Sequence, residues 1–468
     1  MNYQVPQHID NNKVFIVNRS EIKGRLDPKM ALYNRKVQNW LYPKVRLKDI
    51  LLSKPQYGAA ESGITRTDIK SPRYIRITDI DEYGLISHND LGATASTIED
   101  QYILHDYDLL IARSGATVGK AYIHKECPYT CFFAGYLIRF VINPLKAMPD
   151  YVFAFTQTNT YKEWVNAIQR PSGQPNINAE EYQSLEIPLP PPDIQNEIVS
   201  IIQTAYSEKQ KKELEVQQLL NDIDIYLLNE LGVSLPEVRN ELKDRMFFLN
   251  RCDLEGRFDP TVYKDGIKLI SPKWDNIKLQ KVAFVNPSGT YKGKNIKTPI
   301  SFVPMEVVDE TFSEITAMGE ATIEHSSGFT KFREGDLLWA KITPCMQNGK
   351  SAIAKNLING LGCGSTEFFV LRPKDERIAI EYLHVILHMK CVRETAMLFF
   401  GGSAGQQRVP SSFLENFIIP LPPKGKQVEI ANHVYELRQQ AKCLQDEGKR
   451  ILESAKRDVE QIIVQRDL

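Results

Sequence analysis

The chain is written twice. Val17-Asn-Arg-Ser-Glu-Ile-Lys-Gly-Arg-Leu-Asp-Pro28 returns as Leu249-Asn-Arg-Cys-Asp-Leu-Glu-Gly-Arg-Phe-Asp-Pro260, a shift of 232 residues. Ile187-Pro-Leu-Pro-Pro191 returns at the same shift as Ile419-Pro-Leu-Pro-Pro423, and Gln195-x-Glu197-Ile198 as Gln427-x-Glu429-Ile430. Leu47 answers Leu279, and Gly173-Gln174 answers Gly405-Gln406. A period this long is a duplicated domain, because solenoid repeats run from about 20 to 50 residues. Two like units in one chain are expected to pack about a pseudo-twofold axis. The copies align only after small insertions, as though their surfaces had been free to diverge.

Each copy reads as a mixed globule followed by a long helix. Short apolar runs bounded by Gly, Pro, Asn and Asp predict strands at Tyr74–Thr78, Asp108–Ala112 and Gly135–Val141. Their counterparts are Ile300–Val303, Asp336–Ala340 and Glu367–Arg372. Helices are predicted near Tyr151–Ile168 and Ile380–Phe400. Pro188-Leu-Pro-Pro-Pro192 and Pro420-Leu-Pro-Pro423 then stop each globule and launch a helix, since proline suits only a first helical turn. The helices are predicted from Asp193 to about Glu230 and from Lys426 to about Gln465. In the second, Ile430, Val434, Leu437, Ala441, Leu444, Gly448, Ile451 and Ala455 step 4-3-4-3, a seam that wants another helix. The same frame in the first gives Ile198, Ile202, Ala205, Lys209, Lys212, Val216, Leu219 and Ile223, interrupted by the two lysines. If antiparallel, such helices would span roughly 57 Å at 1.5 Å per residue and hold the globules a fixed distance apart. The fold class expected is α/β (α+β): two tandem mixed globules with short strands, separated by two long antiparallel coiled-coil helices.

Composition narrows the function. Lys plus Arg and Asp plus Glu are both 58, so bulk positive charge does not drive polyanion binding, although a local basic face remains open. No apolar run is long enough to span a membrane, and the start MNYQVPQHIDNNK lacks the order of a secretion signal, so the cytoplasm is expected. Seven scattered cysteines argue against a disulfide scaffold. His124-x2-Cys127-x3-Cys131 lacks a second ligand pair at zinc spacing, so buried small hydrophobes are expected there and no metal. Gly115-Ala-Thr-Val-Gly-Lys120 has neither the spacing nor the hydroxyl residue of a phosphate-binding loop. Asn286-Pro287-Ser288-Gly289 resembles an amino-methyltransferase loop but lacks its second proline and its aromatic residue, so a turn is expected. No catalytic motif survives.

The blocks Asp108-Leu-Leu-Ile-Ala-Arg-Ser-Gly-Ala-Thr-Val-Gly-Lys120 and Gly335-Asp-Leu-Leu-Trp-Ala-Lys-Ile-Thr-Pro-Cys-Met-Gln-Asn-Gly-Lys350 resemble those of the specificity (S) subunit of Type I restriction–modification enzymes. So do the Gly-Gln segments, the Ile-Pro-Leu-Pro-Pro stops and the Gln-x-Glu-Ile helix starts. The resemblance covers nearly the whole chain. It implies a DNA sequence-specificity subunit in which each globule is a target-recognition domain reading half of a bipartite double-stranded DNA site, while the helices set the spacing. It implies modification (methyltransferase) subunits that carry S-adenosylmethionine and methylate adenine, a translocating restriction subunit, and no cofactor or catalysis in this chain. A self-sufficient DNA-modifying enzyme and a duplicated protein-binding adaptor are the alternatives.

On this reading the chain divides into an N-terminal segment of repeat 1 (1–35), target-recognition domain 1 (36–190) and a central spacer helix (191–232). A linker with the start of repeat 2 (233–270), target-recognition domain 2 (271–422) and a C-terminal spacer helix (423–468) follow. Readout requires polar groups that reach base edges and cations that hold phosphates. The candidates in the first globule are Arg113, Ser114, Lys120, Arg170, Ser172, Gln174, Asn176 and Asn178. In the second they are Lys341, Thr343, Gln347, Asn348, Lys350, Gln406, Gln407 and Arg408. The charged blocks Arg19, Glu21, Gly24, Arg25, Asp27 and Arg251, Asp253, Gly256, Arg257, Asp259 are expected to serve structure or a modification subunit.

Overall fold

The computed structural model describes residues 16, 27–38, 40–81, 83–86, 91–169, 174–235, 262, 266–402 and 406–464. Both charged blocks therefore lie outside the described residues, apart from Asp27, which caps the helix Pro28–Lys36 by accepting from the Lys29 amide. The chain forms two compact units, Met1–Lys211 with Glu447–Leu468, and Lys212–Asp446. The division runs through the long helices, so each unit owns half of each.

In the first unit one sheet orders Gln56–Tyr57, Leu137–Val141, Asp108–Ala112 and Ala121–Ile123, all antiparallel. In the second unit Ala283–Val285, Phe368–Pro373, Leu337–Ala340 and Ser351–Ile353 repeat that order. The central strand is buried along its whole length in both copies, which is why its sequence is an unbroken apolar run. Its flanking carboxylate is explained too. Asp108 meets Arg139 at 3.3 Å, and Asp336 meets Arg372 through two bonds of 2.7 Å.

A second sheet packs behind each first one. Its shared part is Ala93–Thr94, Arg73–Ile75 and Cys131–Phe133 in one unit, and Gly319–Thr322, Pro299–Val303 and Leu361–Gly364 in the other. The last two strands of each trio run parallel. The copies diverge at the edges. Ile64–Thr65 extends one side of the first trio, whereas Thr330–Arg333 extends the opposite side of the second.

The Ile-Pro-Leu-Pro-Pro stops are structural. Each supplies a strand that closes its unit, Glu186–Pro188 on Lys44–Arg46 and Ile418–Leu421 on Asp275–Lys278. The glutamine that follows is buried and fully engaged. Gln195 accepts from the Met148 amide at 2.9 Å and donates to the Pro190 carbonyl at 2.8 Å. Gln427 does the same for Ala379 and Pro422, each at 2.8 Å.

The expected helix Tyr151–Ile168 is two helices, Pro149–Thr156 and Asn159–Ile168, because the Thr158 side chain caps the second by accepting from the Tyr161 amide. Ile380–Phe400 is likewise split into Ile380–His388 and Lys390–Met397, with Met389 extended between them. The Asn286 segment is a turn: Asn286 adopts φ 53° and its side chain accepts from the Val370 amide at 3.1 Å. His124 Nδ1 lies 3.0 Å from the Tyr122 hydroxyl, and no group of three metal-ligating side chains occurs among the described residues.

The long helices run Pro192–Leu231 and Lys424–Val464. Within the second unit Glu230 pairs with Lys426 at 2.8 Å, Tyr226 lies on His433, and Val216 joins Ala441 in one apolar cluster. One number falls as the other rises, so the pair is antiparallel there. In the first unit Ile198, Ile202 and Ala205 share a core with Leu452, Ala455 and Val459. The buried residue is Leu452, while Ile451 is only partly covered. The seam returns to the expected frame at Ala455, so Leu452 replaces Ile451 at that one position. The interrupting Lys209 is buried, with its ammonium 4.3 Å from the centre of the Tyr83 ring.

His384 and His388 sit on the helix Ile380–His388. Burial pushes His384 from 6.5 down to about 3 and His388 well below its ordinary value. Both stay neutral in the folded chain where the unfolded chain takes up protons. The stability present above pH 6.5 is therefore lost as pH falls toward 3, at about 1.4 kcal/mol per pH unit for His384. Between pH 7 and pH 5 His384 alone should weaken the chain in urea unfolding by roughly 2 kcal/mol, with His388 adding to that loss, and His384→Gln should remove its own share of the slope. A slope unchanged in the variant would contradict the assignment.

Candidate nucleic-acid interface

In each unit the loop leaving the central strand is stitched to the segment after the Gly-Gln pair. In the first unit Ser114 and Asn176 form a β-bridge, Gly115 donates to the Pro175 carbonyl at 3.0 Å, and Ile177 donates to the Arg113 carbonyl at 2.8 Å. In the second unit Ile342 bridges Arg408, Thr343 donates to the Gln407 carbonyl at 3.0 Å, and Val409 donates to the Lys341 carbonyl at 2.9 Å. Arg113 also donates its amide to the Tyr136 carbonyl, and Lys341 to that of Glu367, both at 2.9 Å. One backbone framework has been built twice.

The side chains on that framework differ. The first unit gathers Arg113, Ser114, Gln174 and Asn176, with the Arg113 guanidinium 4.8 Å from the centre of the Tyr57 ring. Gln174 and Asn176 are exposed, as are Tyr57 and Tyr136. The second unit gathers Lys341, Thr343, Gln406, Gln407 and Arg408. Its Arg408 grips Glu367 through bonds of 2.9 and 2.8 Å, and that contact holds the Glu367 carboxyl below its usual range. Lys341 stands 5.6 Å from the centre of the Phe369 ring.

Other candidates also make hydrogen bonds within the fold. Lys120 donates to the Ile80 carbonyl at 2.8 Å, and its counterpart Lys350 to the Met305 carbonyl at 3.3 Å. Asn178 is a helix cap, accepting from the Glu181 amide at 2.8 Å. Gln347 is held by the Thr343 hydroxyl, and Asn348 donates to Glu310 at 3.2 Å. Arg170 and Ser172 lie outside the described residues. Tyr57, Tyr136 and Glu367 were not among the sequence candidates. Tyr136 and Glu367 immediately precede the same strand in the two copies, and their position beside the loop is the signal that could have found them.

A family model described as the Type I restriction modification DNA specificity domain matches residues 73–218 and again 272–446, more than half of the 468 residues. The chain belongs to this family. Each match takes in one copy of the stitched framework, so the family's specificity domain is what was duplicated. Among curated relatives, the chain is 38% identical over 164 residues to the Type I restriction enzyme EcoEI specificity subunit of Escherichia coli, covering 34% of this chain and 26% of that protein. It is 32% identical over 195 residues to the EcoAI specificity subunit of the same organism, covering 41% and 32%. The alignments thus span only about a quarter to a third of those relatives. A solved chain from work on complex assembly and conformational transition of the type I R-M system shares the fold, with TM-score 0.50 and 15% identity over 90% of this chain and 96% of that one.

Proposed function

We propose that the chain is the DNA sequence-specificity subunit of a Type I restriction–modification complex, each unit reading one half of a bipartite duplex site. The observation that carries this reading is the framework built twice with different side chains. A binder of two identical targets has no need to replace Asn176 by Arg408, or Tyr136 by Glu367. In the first unit Gln174 and Asn176 offer amides suited to adenine, and Arg113 suits guanine or phosphate. In the second, Arg408 and Lys341 take the cationic part and Gln406 the amide part. Arg170 and Ser172 are proposed to belong to the first of these surfaces.

The chain brings specificity without catalysis or cofactor. S-adenosylmethionine and methyl transfer to adenine belong to modification subunits docked on the long helices, and cleavage to a restriction subunit. The helices set the number of base pairs between half-sites. No described helix is long and apolar enough to cross a membrane, and we place the complex in the cytoplasm.

The purified chain with S-adenosylmethionine should transfer no methyl group to DNA. With modification subunits added, methylation should appear, and affinity should fall steeply with salt, by a log–log slope of about −0.9 per phosphate contacted. Methyl transfer by the chain alone, or binding indifferent to salt, would contradict the proposal.

A further inference from the structure

A cavity of about 690 Å³ opens in the second unit, walled by the loop Phe312–Ile315, the strand end at Ile353, the helix Ile380–His388 and the second long helix. The first unit has its counterpart, about 380 Å³, walled by the matching elements around Leu85, Ile123, Phe153 and Tyr206. The duplication thus allows the two cavities to be compared residue by residue.

Two lining positions and the turn residue before Leu85 have changed in the same sense. Tyr206 of the first cavity stands where the second has Arg438, 232 positions on; Phe153 stands for His384 and Gly84 for Ser313. The first cavity is satisfied: the Tyr206 hydroxyl donates to the Tyr83 carbonyl at 2.7 Å. A Cβ on Gly84 would meet the Phe153 ring at 2.8 Å, so the small residue and the large ring belong together. In the second cavity the ring has given way to the smaller His384, and Ser313 occupies the left-handed position, at φ 60°, that Gly84 holds at 77°. Arg438 is 7% exposed and Ser313 6% exposed, and neither Arg438 Nε nor Ser313 Oγ has a hydrogen-bond partner. Buried donors left without an acceptor are costly, typically about 1–3 kcal/mol, and are rare unless something completes them. Nothing in the fold of the second unit required these exchanges, since the first unit keeps the same fold with Tyr206, Phe153 and Gly84.

We propose that this cavity is a binding site for a small monocarboxylate with an apolar body. A guanidinium suits a carboxylate, and the Ser313 hydroxyl, which lines the same cavity, adds a neutral donor. Ile353, Val428 and Tyr435 supply apolar wall for the remainder of the ligand. A cavity of this size is in the range of small-molecule sites. Two acidic residues also line it, Glu314, which is held by Lys442 and by Gln439 at 3.1 Å, and the exposed Glu381. These disfavour a multiply charged phosphate and select a single negative charge.

The test is calorimetric titration of the full chain, without DNA, with phenylacetate, its neutral amide and inorganic phosphate. Phenylacetate should bind one to one, and the amide at least roughly tenfold more weakly, the worth of one charged hydrogen bond. Arg438→Lys keeps the charge and removes the fork; Val428→Trp, at a position 42% exposed, fills the cavity without touching the guanidinium. Each should weaken phenylacetate by about tenfold or more at unchanged circular dichroism. Should Arg438→Lys fail to fold, Val428→Trp decides alone. No saturable binding of phenylacetate, equal binding of the amide, preference for phosphate, or affinity unchanged in a folded Val428→Trp chain would each overturn the proposal.

Discussion

Asp336→Ala should destabilise the second unit by about 3–5 kcal/mol, the usual cost of stranding one member of a buried ion pair. Asp336 is 1% exposed and takes two bonds from Arg372, and it also accepts from the Arg333 amide at 2.8 Å. Its removal leaves a guanidinium, itself only 12% exposed, facing a sheet interior with no counter-charge. Glu367→Gln is the control. Its partner Arg408 is 43% exposed, so this equally well-aligned pair should be worth less than about 1 kcal/mol. Denaturant midpoints of the two variants should differ accordingly. Equal losses would show that burial does not set the worth of these pairs.

The second large effect concerns the spacing of the half-sites. A heptad added to both long helices, after Leu219 and at the facing stretch near Ala441, preserves the seam and lengthens the pair by roughly 10 Å. On the proposed reading the preferred gap should grow by about three base pairs at 3.4 Å each, with both half-sites unaltered. Affinity for the original site should fall by about a thousandfold, toward the non-specific level. An unchanged gap would remove the helices from the role of spacer.

Much of this architecture was legible because period and burial coincide. The runs Leu109–Ala112 and Leu337–Ala340 are apolar without a break since both faces of the strand are covered. The paired Gln195 and Gln427 repeat because each satisfies an amide and a carbonyl that water cannot reach. Helix interruptions were harder to see. Thr158 is one of five consecutive polar residues, Thr156 to Thr160, any of which could sit in a helix, and Met389 has no capping side chain to announce it. The expected seam misplaces one position beyond Gly448, where Leu452 is buried in place of Ile451, and is in frame again at Ala455. At the candidate interface, residue type alone does not separate side chains free to reach a ligand from those that also serve the fold. Lys120, Lys350 and Asn178 have the chemistry of DNA contacts and each also makes a hydrogen bond to the backbone of its own unit. Divergence between equivalent positions picks out Asn176 and Arg408, Tyr136 and Glu367, and in the cavity Tyr206 and Arg438.

The central claim is that the two units read separately. Its most direct measurement is the site selected from a random duplex pool by a chain whose residues 40–190 come from a different specificity subunit, assembled with its modification subunits. One half-site should change to that of the donor while the other half and the gap stay as they were. A selected site altered in both halves, or in neither, would contradict the account.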